Sequence, residues 1–378
     1  MLVHAPSRGT RAATAPPEGG KPASSFRADI QGLRALAVAL VVAYHAGLPI
    51  HGGFVGVDVF FVISGFVITR GVAGELERTG TVRLGRFAVR RIRRLLPALA
   101  LMLTATMAFA IVASSSLGPQ QAISATGHDA ALFHANLGIY ESVGDYFAPA
   151  AESNPLLHTW SLAVEEQFYA VFPLISLVLW RVGKPATGRR RLSIGYAAIA
   201  AVTLALSVAM VGEWYPWEVD HPQAFSYFAT HYRAWEFLAG CLVALALADG
   251  RRLPGSAAKW SVLGLGAVVG SALLLDARTI FPGYAAVFPV AGTAALLAAG
   301  ASPGRSHLGR ALSARWVVGI GDLSYGWYLW HWPFIVFARE LWPSTWWAAL
   351  AAAALSLPVA AASQRLIENP IRFDGGER

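Results

Sequence analysis

Residues 27–69 read RADIQGLRALAVALVVAYHAGLPIHGGFVGVDVFFVISGFVIT, and their reading decides the fold. Two apolar runs fold back on each other around 49–53, and each carries ionisable groups at positions where lipid makes them expensive. Arg34 and His45 are eleven residues apart on the first run. On an α-helix that is a rotation of about 20° and a rise of about 16 Å, so both side chains project from one face at two depths. Asp58 follows the turn by about as many residues as His45 precedes it, so the spacing predicts a histidine–carboxylate dyad. An ionisable side chain inside a membrane span costs on the order of 2.5 kcal/mol or more, and such groups face a bundle interior or a water-filled cavity. Taken singly, Arg34 also fits an interfacial anchor and His45 a backbone hydrogen bond. Together with Asp58 they mark a functional centre.

Composition places the chain in the same setting. Of 378 residues, 55% are hydrophobic and 14% charged, with a mean hydropathy of +0.49. That balance reads as a polytopic membrane protein, and the apolar runs placed below make it an all-α integral membrane protein, a bundle of about ten transmembrane helices. The formal net charge of +8 does not point to nucleic acid, because the basic residues fall in short clusters between apolar runs, as in cytoplasmic loops. The single cysteine, Cys241, lies in an apolar run and excludes both a disulfide framework within the chain and a Cys-based zinc site.

Residues 1–26, rich in Ala, Pro, Gly, Ser and Arg, read as a disordered cytoplasmic tail, and 373–378 as a short one. Between them, spans are expected at about 30–49, 55–73, 97–113, 158–180, 193–211, 232–248, 260–275, 283–300, 316–341 and 346–367, each near the length of a helical crossing. Pro173, Pro289, Pro333 and Pro358 predict kinks within them. Of the 30 lysines and arginines, all but Arg233, Arg278 and Arg339 fall on one side of this alternation. The expectation is a multi-pass protein of the cell inner membrane with both termini cytoplasmic. The connection 114–157, with Glu141, Asp145 and Glu152, is too long for a turn and is expected to lid an outward-facing cavity. His128 and His134 lie within it without metal-ligand spacing and read as solvated, so no metal is expected.

Three further stretches carry chemistry. Residues 83–97, RLGRFAVRRIRRLLP, are denser in arginine than orientation requires, and the planar guanidinium suits phosphate. Arg91 and Arg94 are the candidates to hold the phosphates of a coenzyme A thioester, with lipid headgroups as the competing partner. Residues 154–169, NPLLHTWSLAVEEQFY, place Ser161 and Glu165 on one helix face and turn Glu166 about 100° away, toward an arginine. In 233–240, RAWEFLAG, Arg233 and Glu236 have the spacing of a pair, and with Trp160 and Ser161 they are candidates for substrate contact. The Trp and Tyr residues of 323–333, LSYGWYLWHWP, fit an interfacial belt, and His331 reads as a packed histidine.

These segments, in this order, resemble the membrane acyltransferase 3 family over about 27–372, and most closely its bacterial O-antigen and polysaccharide O-acetylase branch. The resemblance implies ten core helices, an acyl-CoA donor used from the cytoplasm and an acceptor hydroxyl on a lipid-linked or surface sugar, as in polysaccharide or lipopolysaccharide O-acetylation. It also implies that Arg34 and His45 match the family's pair on the first helix, and Arg91 and Arg94 its Arg-x-x-Arg element. Many members of the branch carry an extra helix and a C-terminal SGNH domain, whereas this sequence ends at IENPIRFDGGER. Members of that shorter form also acylate small molecules such as macrolide antibiotics.

The residue chemistry fits acyl transfer. A hydroxyl is a poor nucleophile until a base takes its proton, and histidine does this near neutral pH. His45 is the expected base, with Asp58 or Glu165 expected to orient it. A covalent route through Ser64, Ser161 or His45 is the rival. A proton-coupled transporter or flippase using Arg34, His45 and Glu165 as a relay is the alternative of a different class.

Overall fold

A computed structural model describes residues 26–143, 152–182, 187–215, 218–302 and 306–373. Nearly all of the tail expected over 1–26, and all but the first residue of that over 373–378, lie outside these. Every expected span has a helix: α1 (Ala28–His45), α2 (Gly56–Thr79), α3 (Leu84–Ala113), α6 (Thr159–Arg181), α7 (Gly188–Val211), α9 (Thr230–Ala248), α10 (Ala257–Leu274), α11 (Val287–Ala299), α13 (Arg315–Leu341) and α14 (Ala348–Ser363). Short helices α4 (Pro119–Ala131), α5 (Ala135–Val143), α8 (Pro222–Phe228), α12 (His307–Leu312) and α15 (Asn369–Phe373) occupy the connections.

Among the described residues, six helices are long and apolar enough to cross a membrane. The four expected spans outside that set are informative. α11 has only 13 residues. α1, α9 and α13 are long enough, but they carry Arg34 and His45, Arg233 and Glu236, and Asp322 and His331 respectively. Of these, His45, Arg233, Glu236 and His331 are buried between helices, while Arg34 and Asp322 line a cavity.

α1 packs between α2 and α13, and α2 lies in turn against α9. In lipid, helices associate through close backbone approach and small residues. The α2–α9 crossing shows this reciprocally: a Cβ on Gly65 would strike the Phe237 carbonyl, and one on Gly240 the Val62 carbonyl. At the same place the buried Cys241 thiol donates to the Gly65 carbonyl at 3.3 Å.

Helices α6, α13 and α14 run through Pro173, Pro333 and Pro358, and α3 runs through Pro97. Pro289 differs from expectation, because it falls in the first turn of α11, where an N–H has no intrahelical acceptor and none is lost. The connection 114–157, expected to be longer than a turn, has helices of its own. It contains α4 and α5, although its stretch 144–151, with Asp145, lies outside the described residues. Asn136 is buried there and donates to the Phe228 carbonyl at 3.0 Å. The Asn154 carbonyl accepts from the Trp332 indole at 2.8 Å, so this segment caps the end of the bundle where His45 lies. The expected aromatic belt is displaced: Trp330 and Trp332 are core, whereas Trp342, Trp346 and Trp347, just beyond α13, are exposed.

Candidate active site

A cavity of about 1350 Å³ opens at the arginine-rich end of the bundle. Its lining includes seven arginines, Arg34, Arg86, Arg90, Arg91, Arg93, Arg94 and Arg372, against four carboxylates, Glu75, Glu165, Asp322 and Glu368. The wall is therefore strongly cationic and larger than a pocket for an ordinary small ligand, which spans about 300–1,000 Å³. The geometry separates Arg91 from Arg94. Arg91 donates to Glu166 Oε1 at 2.5 Å, lies 3.6 Å from Glu165 Oε1 and stacks over the Tyr169 ring at 3.7 Å. It is thereby committed to the protein, and Glu166 meets the arginine its helical position called for. Arg94 lines the cavity with no hydrogen-bonded partner among the described residues. Among the described residues, Arg34 has a single long hydrogen bond, 3.3 Å, to Gln31.

Glu165 is part of this cavity, not of the histidine site. Its Oε1 accepts from Ser64 Oγ at 2.7 Å and from the Tyr169 hydroxyl at 2.8 Å. That corrects the expectation that Glu165 orients His45. Ser161 also lines the cavity, at its inner end, beside Tyr328.

The expected His45–Asp58 dyad does not form. Asp58 Oδ1 instead accepts from Arg233 Nη2 at 2.9 Å, and Glu236 Oε1 lies 2.9 Å from Arg233 Nε. All three side chains are buried within rings of Phe61, Trp160, Tyr227 and Phe281, each 5.3 to 5.8 Å from the guanidinium. The physical reason is that Arg233 in a span needs a counter-charge, and Asp58 on α2 faces it where α2 and α9 cross. Trp160, Arg233 and Glu236 are thus components of a closed charge cluster, and the structure does not bring them to the cavity as substrate contacts.

His45 meets histidine instead. Its Nδ1 lies 2.9 Å from His331 Nε2, and His331 Nδ1 lies 2.6 Å from the Tyr328 carbonyl. A carbonyl only accepts, so His331 Nδ1 carries the proton there, and its Nε2 is the acceptor toward His45. His45 consequently holds its proton on Nδ1, leaving Nε2 as the basic nitrogen. The Arg339 guanidinium anchors the end of α1 by donating to the His45 carbonyl at 2.7 Å.

A third histidine completes the group. His158 Nε2 donates to the Leu329 carbonyl at 3.0 Å, its ring is 5.7 Å from that of His331, and its Nδ1 is buried without a hydrogen-bond partner among the described residues. His158 and Tyr328 were overlooked in the sequence. The available signal for His158 was a histidine in an apolar run, two residues before Trp160 and three before Ser161.

Arg34 therefore lies in the arginine cavity and His45 in the histidine group beyond its inner end. The arginine cavity ends at Ser161 and Tyr328, and the three histidines lie directly behind Tyr328, whose ring is 5.4 Å from both His158 and His331. A cationic cavity leading toward a buried, tautomer-defined base suits a phosphate-bearing donor and proton abstraction from a second substrate.

Comparison with known proteins agrees with the resemblance drawn from the motifs. Residues 27–365 match the acyltransferase domain of the acyltransferase 3 family. The chain is 32% identical over 361 residues to the peptidoglycan O-acetyltransferase OatA of Listeria monocytogenes, covering 92% of this chain and 56% of that protein. It is 32% identical over 361 residues to the O-acetyltransferase OatA of Staphylococcus aureus, covering 92% of this chain and 57% of that protein. The chain thus spans a little over half the length of these relatives. No solved structure matches it. Helices, motifs and family match converge: the chain belongs to the acyltransferase 3 family of membrane proteins.

Proposed function

We propose that this chain is a membrane O-acyltransferase that moves an acyl group, acetyl in the first instance, from acyl-CoA to a hydroxyl of a cell-surface polysaccharide. The observation that carries the reading is the junction of the two compartments, an arginine-walled cavity whose inner end abuts the His45–His331–His158 group. Arg94 and Arg34 bind the donor phosphates from the cytoplasmic face, and the thioester points inward. The acceptor hydroxyl reaches His45 from the opposite face. His45 Nε2 takes the hydroxyl proton, the oxygen attacks the thioester carbonyl, the C–S bond breaks, and the departing thiolate takes the proton from the imidazolium. The polysaccharide acceptor follows the Listeria monocytogenes relative, a peptidoglycan O-acetyltransferase.

The test is purified protein in detergent with acetyl-CoA, read as free-thiol release and as acetyl transfer to a cell-wall glycan fragment. The expected result is release that depends on His45 and rises with acceptor. A wild-type protein that stays monodisperse and neither hydrolyses nor transfers from any acyl-CoA overturns the reading.

A further inference from the structure

The inner end of the arginine cavity is closed by one side chain. Tyr328 lines the cavity on one side and lies against His158 and His331 on the other, and it is nearly buried. Its hydroxyl donates to the His158 carbonyl at 2.9 Å and lies 2.6 Å from Ser161 Oγ, which itself donates to the same carbonyl at 3.2 Å. Phe60, also lining the cavity, packs its ring edge-on at 6.3 Å from Tyr328.

Hydrogen counting decides what this closure can do. Each hydroxyl has one hydrogen, and the acceptors within reach are the His158 carbonyl and the other hydroxyl. In either arrangement both hydrogens are spent inside the triangle of Ser161, Tyr328 and the His158 carbonyl, and none points into the cavity. The pair is not an oxyanion-binding donor set, which needs N–H or O–H groups aimed at the developing charge. It is a latched wall.

Resting on the acyl-transfer reading above, we propose that Tyr328, latched by Ser161 and the His158 carbonyl, determines which acyl groups the protein transfers. The thioester carbonyl must pass the edge of the Tyr328 ring to meet a hydroxyl activated by His45. The room that this wall leaves at the inner end of the cavity is the room available to the acyl group, so a short acyl chain fits beside the ring and a longer one strikes it. Tyr328 is a positioning and selectivity residue in this arrangement and takes no part in proton transfer.

The test is the ratio of kcat/KM for butyryl-CoA to that for acetyl-CoA, measured in detergent on protein shown to be monodisperse. Tyr328→Leu shortens the wall and is expected to raise the ratio at least about tenfold, the scale on which a pocket discriminates added methylenes. Tyr328→Phe keeps the ring and loses only the latch, so its ratio is expected to stay within about threefold of wild type. If Tyr328→Leu does not fold, Ser161→Val decides, since it narrows the same passage from α6 and is expected to lower the ratio about tenfold. A wild-type protein inactive with every acyl-CoA overturns this proposal together with the acyl-transfer reading. Active wild type with an unchanged ratio in Tyr328→Leu, or in Ser161→Val where that variant decides, overturns the selectivity role alone.

Discussion

His45 Nδ1 lies 2.9 Å from His331 Nε2, and this contact orders the proton positions of both rings. Because His331 Nδ1 is held by the Tyr328 carbonyl, His331 acts as the fixed acceptor that keeps the basic nitrogen of His45 at Nε2. In the proposed acyl transfer it would fill the orienting role that a carboxylate takes in hydrolytic triads, without bringing a negative charge into the span.

The first prediction follows from that role. His331→Ala removes the acceptor and is expected to lower kcat about 10²- to 10⁴-fold, while the apparent KM for acyl-CoA changes little. His331→Gln supplies a side-chain carbonyl and is expected to recover part of the loss. His45→Ala removes the base itself, and no substitution at His331 rescues it. Equal kcat for His331→Ala and His331→Gln would count against tautomer control.

The second prediction concerns the two arginines of the Arg-x-x-Arg element. Arg94→Gln removes a cavity cation with no protein partner among the described residues, so donor affinity is expected to fall, and to depend less on salt than in wild type. Arg91→Gln breaks the contact to Glu166 and the stacking on Tyr169, and is expected to cost about 1–3 kcal/mol of stability. Thermal melting and acyl-CoA binding, measured on both variants, separate the effects. A stable Arg91→Gln protein with lost donor binding would reverse the assignment.

Most of the fold was legible in the sequence because a membrane span is a local property, and each of the ten apolar runs became a helix. Arg34 and His45 were legible for the same reason, since eleven residues on one helix fix a shared face. What they touch was not. Asp58 had two potential partners, His45 on α1 and Arg233 on α9, and only the glycine-mediated crossing of α2 and α9 settles the choice. His331 lies 286 residues from His45, and its rings of Trp and Tyr neighbours made it read as packing. Glu165 fell correctly inside a span, yet its depth put it with Ser64 and Tyr169 in the cavity wall.

The third prediction tests whether Asp58 and Glu236 are structural. Arg233→Met leaves two buried carboxylates facing each other without their cation, and such a break is expected to cost about 3–5 kcal/mol. Folded yield in detergent should fall sharply. Adding Asp58→Asn and Glu236→Gln to Arg233→Met removes the stranded charges and is expected to recover most of the folded protein. The recovered triple variant should then keep acyl transfer within about tenfold of wild type, a smaller change than loss of a proton-transfer group brings. A well-folded triple variant with a loss as large as that of His45→Ala would return Asp58 or Glu236 to the chemistry.

The fourth prediction fixes which face of the membrane the arginine cavity opens to. The connection 181–192 holds five lysines and arginines and 114–157 holds none, so the arginine-rich end is expected to be cytoplasmic. The protein suits single-cysteine labelling, because Cys241 is buried and its thiol is hydrogen-bonded to the Gly65 carbonyl. Leu117 is 90% exposed in the turn before α4, and Arg93 lines the cavity. With Leu117→Cys, a membrane-impermeant maleimide should label intact cells. With Arg93→Cys it should label only after permeabilisation, and acyl-CoA should then slow that labelling. Arg93→Cys reacting in intact cells as fast as Leu117→Cys would put the cationic cavity on the outer face, where no acyl-CoA pool exists to fill it, and the donor assignment would fall with it.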